Sequence, residues 1–538
     1  GKLIQTPDAE LGETRYAYDS MGNPITLQDA NGNSIHAWYN GFGHKWKVED
    51  PNMGIKTFSY NPFGEVESET DANNDTLTMS YDGLGRLLQR KVNGSLQASF
   101  DYITPNEGAS GTFGVGQLQS ETSPAGITKN YLYDRLSRPS VVETIIDGTS
   151  YASQTQYDGN FGRIKSYTYP SGITVGYDYD NYGYQTRVLN AKTGFEYQKI
   201  TERDALMNIT EAYKNANSLR ETRTYSEATG QLRIIDVKTA SGETTKHNLT
   251  YWYKSFGNLD WQEQFSPSGV NRESFWYDGL HRLIRSSRDN GEEDITYAYD
   301  AVGNFTAKSD YATNYIYSGS GGPNAVSSVD KYLADGSTTS VSFDYDANGN
   351  MISGDGKSID YNAFNKPIVI TAGGVISTFE YGADLARFRQ IKGTETTTYL
   401  GKEVEIVKAN SKTTTKTYIG DIAVVSKEAT VGQVVPDHKL RFTHRDRLGS
   451  PVTLTDHNNN ITEQRGFDPF GKPRNDDMSD AAIPTLLGTN GGFEVFSGRG
   501  FTDHEHLEDA ELIHMNGRVY DYHLGRFLSV DPFIQAPG

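Results

Sequence analysis

One phrase, used over and over, constrains this chain more than anything else in it. An aromatic or apolar residue stands two places before a Tyr, an Asp or Asn follows the Tyr, and a short Gly-bearing gap leads back to apolar residues. Met79-Ser80-Tyr81-Asp82-Gly83-Leu84-Gly85-Arg86-Leu87 is the clearest copy. The alternation before the Asp has the period of a half-buried strand. The Asp can bond the local backbone and the Gly tolerates positive φ, so the gap reads as a turn. Each copy is therefore strand, turn, strand. Further copies include Tyr16-Ala17-Tyr18-Asp19, Tyr131-Leu132-Tyr133-Asp134, Phe275-Trp276-Tyr277-Asp278, Tyr297-Ala298-Tyr299-Asp300 and Phe343-Asp344-Tyr345-Asp346.

The spacing is regular. Tyr18, Tyr39, Tyr60, Tyr81 and Tyr102 follow one another at 21 residues, and the steps from Tyr157 to Tyr179 and from Tyr277 to Tyr299 are 22. A fixed period of this size marks a repeat architecture. It holds roughly two strands of about 5–8 residues and two turns. A lone hairpin cannot bury its aromatic face, so the copies must stack side by side in one continuous sheet. The 35 Tyr, 23 Phe and 55 Gly suit many short strands and tight turns. A hydrophobic content of 36% over 538 residues fits a large, thin-walled body better than one dense core.

The net charge of −19 lacks the basic face that nucleic acid would need, and it opposes attraction to anionic lipid. With no Cys, disulfides, Cys-ligated metals and Cys nucleophiles are excluded. No signal peptide and no run of about 18 apolar residues is present, so no membrane span is expected. No cofactor is expected either. The chain opens inside a repeat at Gly1-Lys2-Leu3-Ile4, so both ends are expected to be cuts in a longer protein.

Residues 1–105 are the most regular, and Thr104 to Gly111 reads as a longer loop. Between about 190 and 250 the phrase blurs, but hairpins are expected to continue. Ser318-Gly319-Ser320-Gly321-Gly322 reads as a loop within the repeats rather than a linker between bodies. Thr394 to Thr430 is rich in Thr, Lys and Val and predicts longer strands. Phe501 to Leu512 is the best candidate for a short helix, with Thr502 or Asp503 as its cap.

After residue 440 the phrases change to Arg445-Asp446-Arg447-Leu448-Gly449-Ser450-Pro451, then Asp468-Pro469-Phe470-Gly471, then Arg518-Val519-Tyr520-Asp521-Tyr522-His523-Leu524-Gly525-Arg526-Phe527-Leu528-Ser529-Val530-Asp531-Pro532. With the Tyr-Asp phrases before them, these resemble the RHS/YD-repeat proteins and their C-terminal RHS-associated core. That group includes bacterial polymorphic toxins, the C component of Tc toxin complexes, and teneurins. The resemblance implies an all-β fold in which hairpins form a spiralling sheet closed into a hollow shell, with residues 1–440 as the shell and 441–538 as the core that curls inward as a plug. It implies a secreted or cell-surface protein, a container whose cargo is its own C-terminal toxin domain, expected beyond Gly538. It further implies an N-terminal secretion or delivery partner and an immunity protein for the cargo.

In several toxin members the core is an intramolecular aspartyl protease that frees the cargo. Carried over by motif, Asp531 is one catalytic acid, Asp521 a candidate partner, and Arg518 the residue that orients or tunes them. Tyr522 departs from the Pro found in many relatives, and a second acid could instead lie beyond Phe533 to Gly538. From residue types alone, the same aspartates read as turn caps and a surface ion pair. His504-Glu505-His506 reads as packing rather than a metal site, because no third ligand is evident. The competing functions are an adhesion or carbohydrate-binding surface protein of the same fold and a β-propeller scaffold, whose blades would equal two repeats.

Overall fold

A computed structural model describes residues 1–105, 113–266, 269–431, 437–481, 486 and 495–531. Most of the loop expected at Thr104 to Gly111, and all of Phe533 to Gly538, lie outside these residues. Among the described residues the regular structure is β-strand and short 3-10 turns, without α-helix. Forty-two strands belong to one antiparallel sheet.

The local chemistry of the repeat explains why. The strand Thr76–Tyr81 ends on its tyrosine, as Glu13–Tyr18, Ser34–Tyr39, Gly54–Tyr60 and Ser95–Tyr102 end on theirs. Ser80 lies opposite Gln89 but Tyr81 lies opposite Leu87, so one residue bulges at the tyrosine. The same slip occurs at Tyr18, Tyr39 and Tyr60. A bulge bends its strand and increases the local twist.

The Asp then closes the turn. Asp82 donates its N–H to the Arg86 carbonyl at 3.0 Å, and Gly85 donates to the Asp82 carbonyl at 3.1 Å. Asp82 Oδ1 accepts the N–H groups of Leu84 and Arg86 at 2.9 and 3.0 Å. Gly85 sits at φ 78°, the left-handed region that favours glycine. Ser137, Met207 and His281 hold the corresponding place in other copies, at φ 60°, 67° and 62°. The turn chemistry there outweighs the modest cost of an L side chain at positive φ.

The tyrosine also ties hairpins together. Tyr81 donates its hydroxyl proton to the Val66 carbonyl, at the start of the preceding strand, at 2.8 Å. Tyr39, Tyr60, Tyr133 and Tyr179 reach the carbonyls of Pro24, Lys45, Leu118 and Ile164 in the same way, each fifteen residues back. Where the turn ends in Arg, that side chain binds its own Asp and covers the next repeat's tyrosine. Arg138 donates to Asp134 and lies 3.9 Å over Tyr157, and Arg282 donates to Asp278 and lies 4.9 Å over Tyr299.

The chain divides into two compact units, Gly1–Gln97 with Ser274–Ile376 and Asp509–Gly538, and Ala98–Glu273 with Ser377–Glu508. Each unit is traversed early and again late, and the two passes meet within it. In the first unit they meet turn against turn. Asn31 donates to Asp300, Asn73 to Asp346 and Asn348 to Asp71, and Arg282 pairs with Glu10. In the second, Tyr167 donates to Glu403, Asn215 donates to the His457 carbonyl, and Arg389 pairs with Asp147. There the passes bury Ile127, Val175 and Val188 with Val404, Ile419 and Phe442.

Hairpins do continue through the blurred stretch, as Glu196–Arg203, Ile209–Lys214, Leu219–Tyr225, Leu232–Thr239 and Thr245–Tyr253. The Gly/Ser segment after residue 317 joins two strands that pair, Ala312–Ile316 and Ser328–Tyr332, so it is a loop. Two expectations fail. Strands between Thr394 and Thr430 run six to eight residues, no longer than the nine of Thr149–Tyr157. The short helix is replaced by 3-10 turns at Phe501–Asp503 and Glu508–Ala510 around the strand Glu505–Leu507. Thr502, Asp503 and Glu511 have positive φ, and Asp503 pairs with Arg445 instead of capping.

Asp82→Ala removes two acceptor bonds and an ion pair from one turn, and is expected to destabilise by about 1–2 kcal/mol. Tyr81→Phe removes only the clamp, at about 1 kcal/mol. Hydrogen exchange of the peptides spanning residues 76–92 should locate both losses in that hairpin.

Candidate functional site

The C-terminal phrase folds as a small antiparallel ribbon of Leu512–His514, Val519–Asp521 and Arg526–Phe527 in the first unit. Close packing seats it. A Cβ at Gly525, which has φ 63°, would come within 2.4 Å of the Phe305 ring. The Leu528 carbonyl accepts the N–H of Met351 at 2.8 Å, and His523 stacks on Tyr311 at 5.1 Å. Tyr522, Leu524 and Leu528 are buried.

Asp521 is 1% exposed. Its Oδ1 accepts the N–H groups of His523 and Leu524 at 2.8 and 3.0 Å, and its Oδ2 lies 3.8 Å from Lys357 Nζ. Lys357 is also 3.8 Å from Asp355, which pairs with Lys331 at 2.7 Å and accepts the Tyr311 hydroxyl at 3.1 Å. Burial would raise the Asp355 carboxyl, but the Lys331 hydrogen bond and the Lys357 charge bring it below the ordinary range. Burial, then the charges of Asp521 and Asp355, push the Tyr311 hydroxyl far up, so it stays a donor. His523 Nε2 lies 3.3 Å from Glu511, and that hydrogen bond holds the Glu511 carboxyl low.

Asp531 is placed differently. Its side chain is half exposed and accepts from Arg518 Nη2 at 2.9 Å. Arg518 stacks over Phe527 at 3.9 Å. Both line a cavity of about 350 Å³ with Arg526, Tyr345, Gly349 and Ser529. The structure thus joins Arg518 to Asp531 and sets Asp521 in a separate buried network. Two carboxylates share a proton when their like charges lie close together. Here each carboxylate meets its own cation. What the arrangement can do is hold the backbone leading to Asp531 in a fixed place beside a cavity.

Sequence reasoning missed Lys357, Asp355, Tyr311 and Lys331, because they lie some 160–210 residues upstream in ordinary hairpins. His523 and Glu511 were within reach, since His523 stands inside the terminal phrase. In His504-Glu505-His506, Glu505 pairs with Arg387 and accepts the Tyr399 hydroxyl, and His506 Nε2 accepts the Phe501 N–H at 3.1 Å. Burial lowers the His506 imidazole to about 3, so it remains a neutral acceptor.

No family model and no curated protein matches the sequence. Solved structures do. A crystal structure of TcdB2-TccC3 without its hypervariable C-terminal region superposes with a TM-score of 0.77 at 15% identity, over 97% of this chain and 28% of that one. The fold is that of part of the TcdB2-TccC3 chain. A TcdB2-TccC3-Cdc42 crystal structure gives 0.79 at 15% identity, over 97% of this chain and 29% of that one. A Photorhabdus luminescens Tc holotoxin pore with a substituted TccC3 gives 0.78 at 15%, over 97% and 28%. This chain therefore spans less than a third of the length of the TcdB2-TccC3 chains it matches.

Lys357→Met leaves Asp521 and Asp355 buried with less compensation and is expected to destabilise by about 3 kcal/mol. Asp531→Ala, at a half-exposed pair, is expected to cost less than about 1 kcal/mol. Urea unfolding midpoints of the two variants, compared with the parent, check the contrast.

Proposed function

We propose that the chain is the container of a secreted bacterial toxin, its sheet closed into a hollow shell around a C-terminal toxin domain. The observation that carries this reading is the match to the TcdB2-TccC3 fold over 97% of the chain. One of those structures is described as lacking a hypervariable C-terminal region, which is where the container reading places the cargo. The anchored ribbon ending at Asp531 supports it further, because a cargo following this segment would start from a fixed point. In this reading residues 441–538 are the plug, and Asp531 with Arg518 takes part in releasing the cargo. An adhesion reading gains less. Trp252 and Trp261 lie parallel to each other, and Arg233 and Arg272 stand over their rings, so part of that aromatic surface is already taken by cations.

A delivery partner has a suitable edge to meet. In the early pass, Met21, Phe42, Phe63 and Leu84 occupy the same turn position and are 64–88% exposed. In the late pass of the same unit, Leu280 and Val302 hold that position half-buried, where the polar turns near Glu10 and Asn31 pack on their neighbours. A further tier of hairpins with Asp/Asn turns would cover the early edge likewise.

Two measurements test this function. With the downstream coding sequence restored, the cargo should resist protease while attached and become sensitive once the shell is denatured; equal sensitivity in both states would remove the container. In that longer chain Asp531→Asn should abolish the cut that separates cargo from shell. An unchanged pair of bands on a denaturing gel would take Asp531 out of the release step and leave encapsulation standing.

A further inference from the structure

In the second unit, buried polar groups close the seam between early and late strands. The early side is formed by Ile209–Lys214, Leu219–Tyr225 and Thr245–Tyr253, the late side by Asp437–Arg445 and Pro451–Asp456. Lys214 Nζ donates to the Thr443 carbonyl at 3.0 Å and pairs with Glu221 at 2.8 Å. Arg223 takes the other Glu221 oxygen at 2.7 Å. Between these groups and the late strands, one histidine from each side meets the other. His247 and His444 stack with ring centroids 5.8 Å apart and planes at 27°. They are 2% and 1% exposed.

The pair is held by neutral groups. His247 Nδ1 lies 3.1 Å from Thr453 Oγ1, and His444 Nε2 lies 3.0 Å from Thr455 Oγ1. Among the described residues Nδ1 of His444 has no hydrogen-bond partner. The charged groups facing the pair are Lys214 and Arg223, both cationic, and Glu221, whose two oxygens those cations already occupy. Arg445, at the end of the late strand, is held by Asp503 at 2.9 Å.

We infer that this stacked histidine pair is an acid-operated latch on the seam, which closes while both imidazoles are neutral and opens with uptake of a proton on each. Two imidazolium rings stacked in a buried site would repel each other and the nearby Lys214 and Arg223, and each would lose its hydration. Burial lowers His247 to about 4 in the closed seam and lowers His444 as well, with the Lys214 charge adding to the effect on His444. In an open seam both return to about 6.5. The open state therefore binds more protons below that pH. The closed seam is at full strength above pH 7 and weakens as pH falls through 6.5 towards 4. The latch is a property of this seam and does not depend on the container reading.

Hydrogen exchange of the 538-residue chain, corrected for intrinsic rates, reads the opening directly. Between pH 7.5 and 5.5, above the range where ordinary carboxylates titrate, the opening constant of residues 245–253 and 438–456 should rise about 100-fold, roughly tenfold for each histidine. The strands Glu13–Tyr18 and Thr76–Tyr81 of the other unit should not follow. His247→Gln or His444→Gln should each cut the rise to about tenfold, and the double variant should abolish it. A flat response of the parent protein overturns the latch, and that measurement needs no variant to fold. An equal rise in both units, or an undiminished rise in the double variant, overturns it too.

Discussion

The carboxylate or amide that follows most of the strand-ending tyrosines is the contact on which the rest of the architecture depends. A sheet of forty-two strands needs a turn at nearly every strand end, and each turn leaves backbone donors facing out of the ladder. Asp82 takes two of them on one oxygen and leaves the other for Arg86. Asp19, Asp204, Asp300 and Asp346 use the second oxygen for an Asn side chain four residues on. The ring before the Asp then fixes hairpin to hairpin through a carbonyl on the preceding strand, fifteen residues back for Tyr81 and sixteen for Tyr299. Strand length, bulge and turn are thereby set by one short phrase. The 21-residue period is the distance at which that set of bonds can repeat.

Building by repetition leaves most residues half-exposed, so the passes through each unit must be held by something besides a thick core. The structure supplies two kinds of contact. In the first unit, Asn and Asp from opposing turns satisfy one another, as with Asn73 and Asp346 or Asn348 and Asp71. In the second, aliphatic side chains and fully buried ions share the seam. Lys214 and Glu221 are each about 4% exposed or less there. Buried ions contribute little net stability but heavily penalise any arrangement that separates them. Their value is register. A one-residue slip would strand Lys214 away from both Glu221 and the Thr443 carbonyl.

How much of this was legible follows from the range of each interaction. The hairpins, the tyrosine at each strand end and the Asp turn are local, and Tyr18, Tyr39, Tyr60, Tyr81 and Tyr102 all fall where their spacing puts them. The short helix expected over Phe501 to Leu512, with Thr502 or Asp503 as its cap, does not form. Left-handed residues at Thr502, Asp503 and Glu511 break that path, and nothing in the pattern of side chains announces them. At the terminal ribbon, motif likeness grouped Arg518, Asp521 and Asp531. Arg518 and Asp531 do meet. The partners that define Asp521 are Lys357, Asp355 and Tyr311, which long-range packing delivers and a linear phrase cannot encode.

The two aspartates of that phrase show what each environment is suited for. Asp521 spends one oxygen on two backbone N–H groups and faces Lys357 with the other, in a site closed to water. A carboxylate so engaged is a structural anchor, since freeing it for proton transfer would cost the bonds that hold the ribbon. Asp531 has an exposed side, a stacked arginine and a cavity beside it, so a second chain segment can approach it. In the proposed release step Asp531 is therefore the acid a second segment can reach, with Asp521 holding still the backbone that presents it.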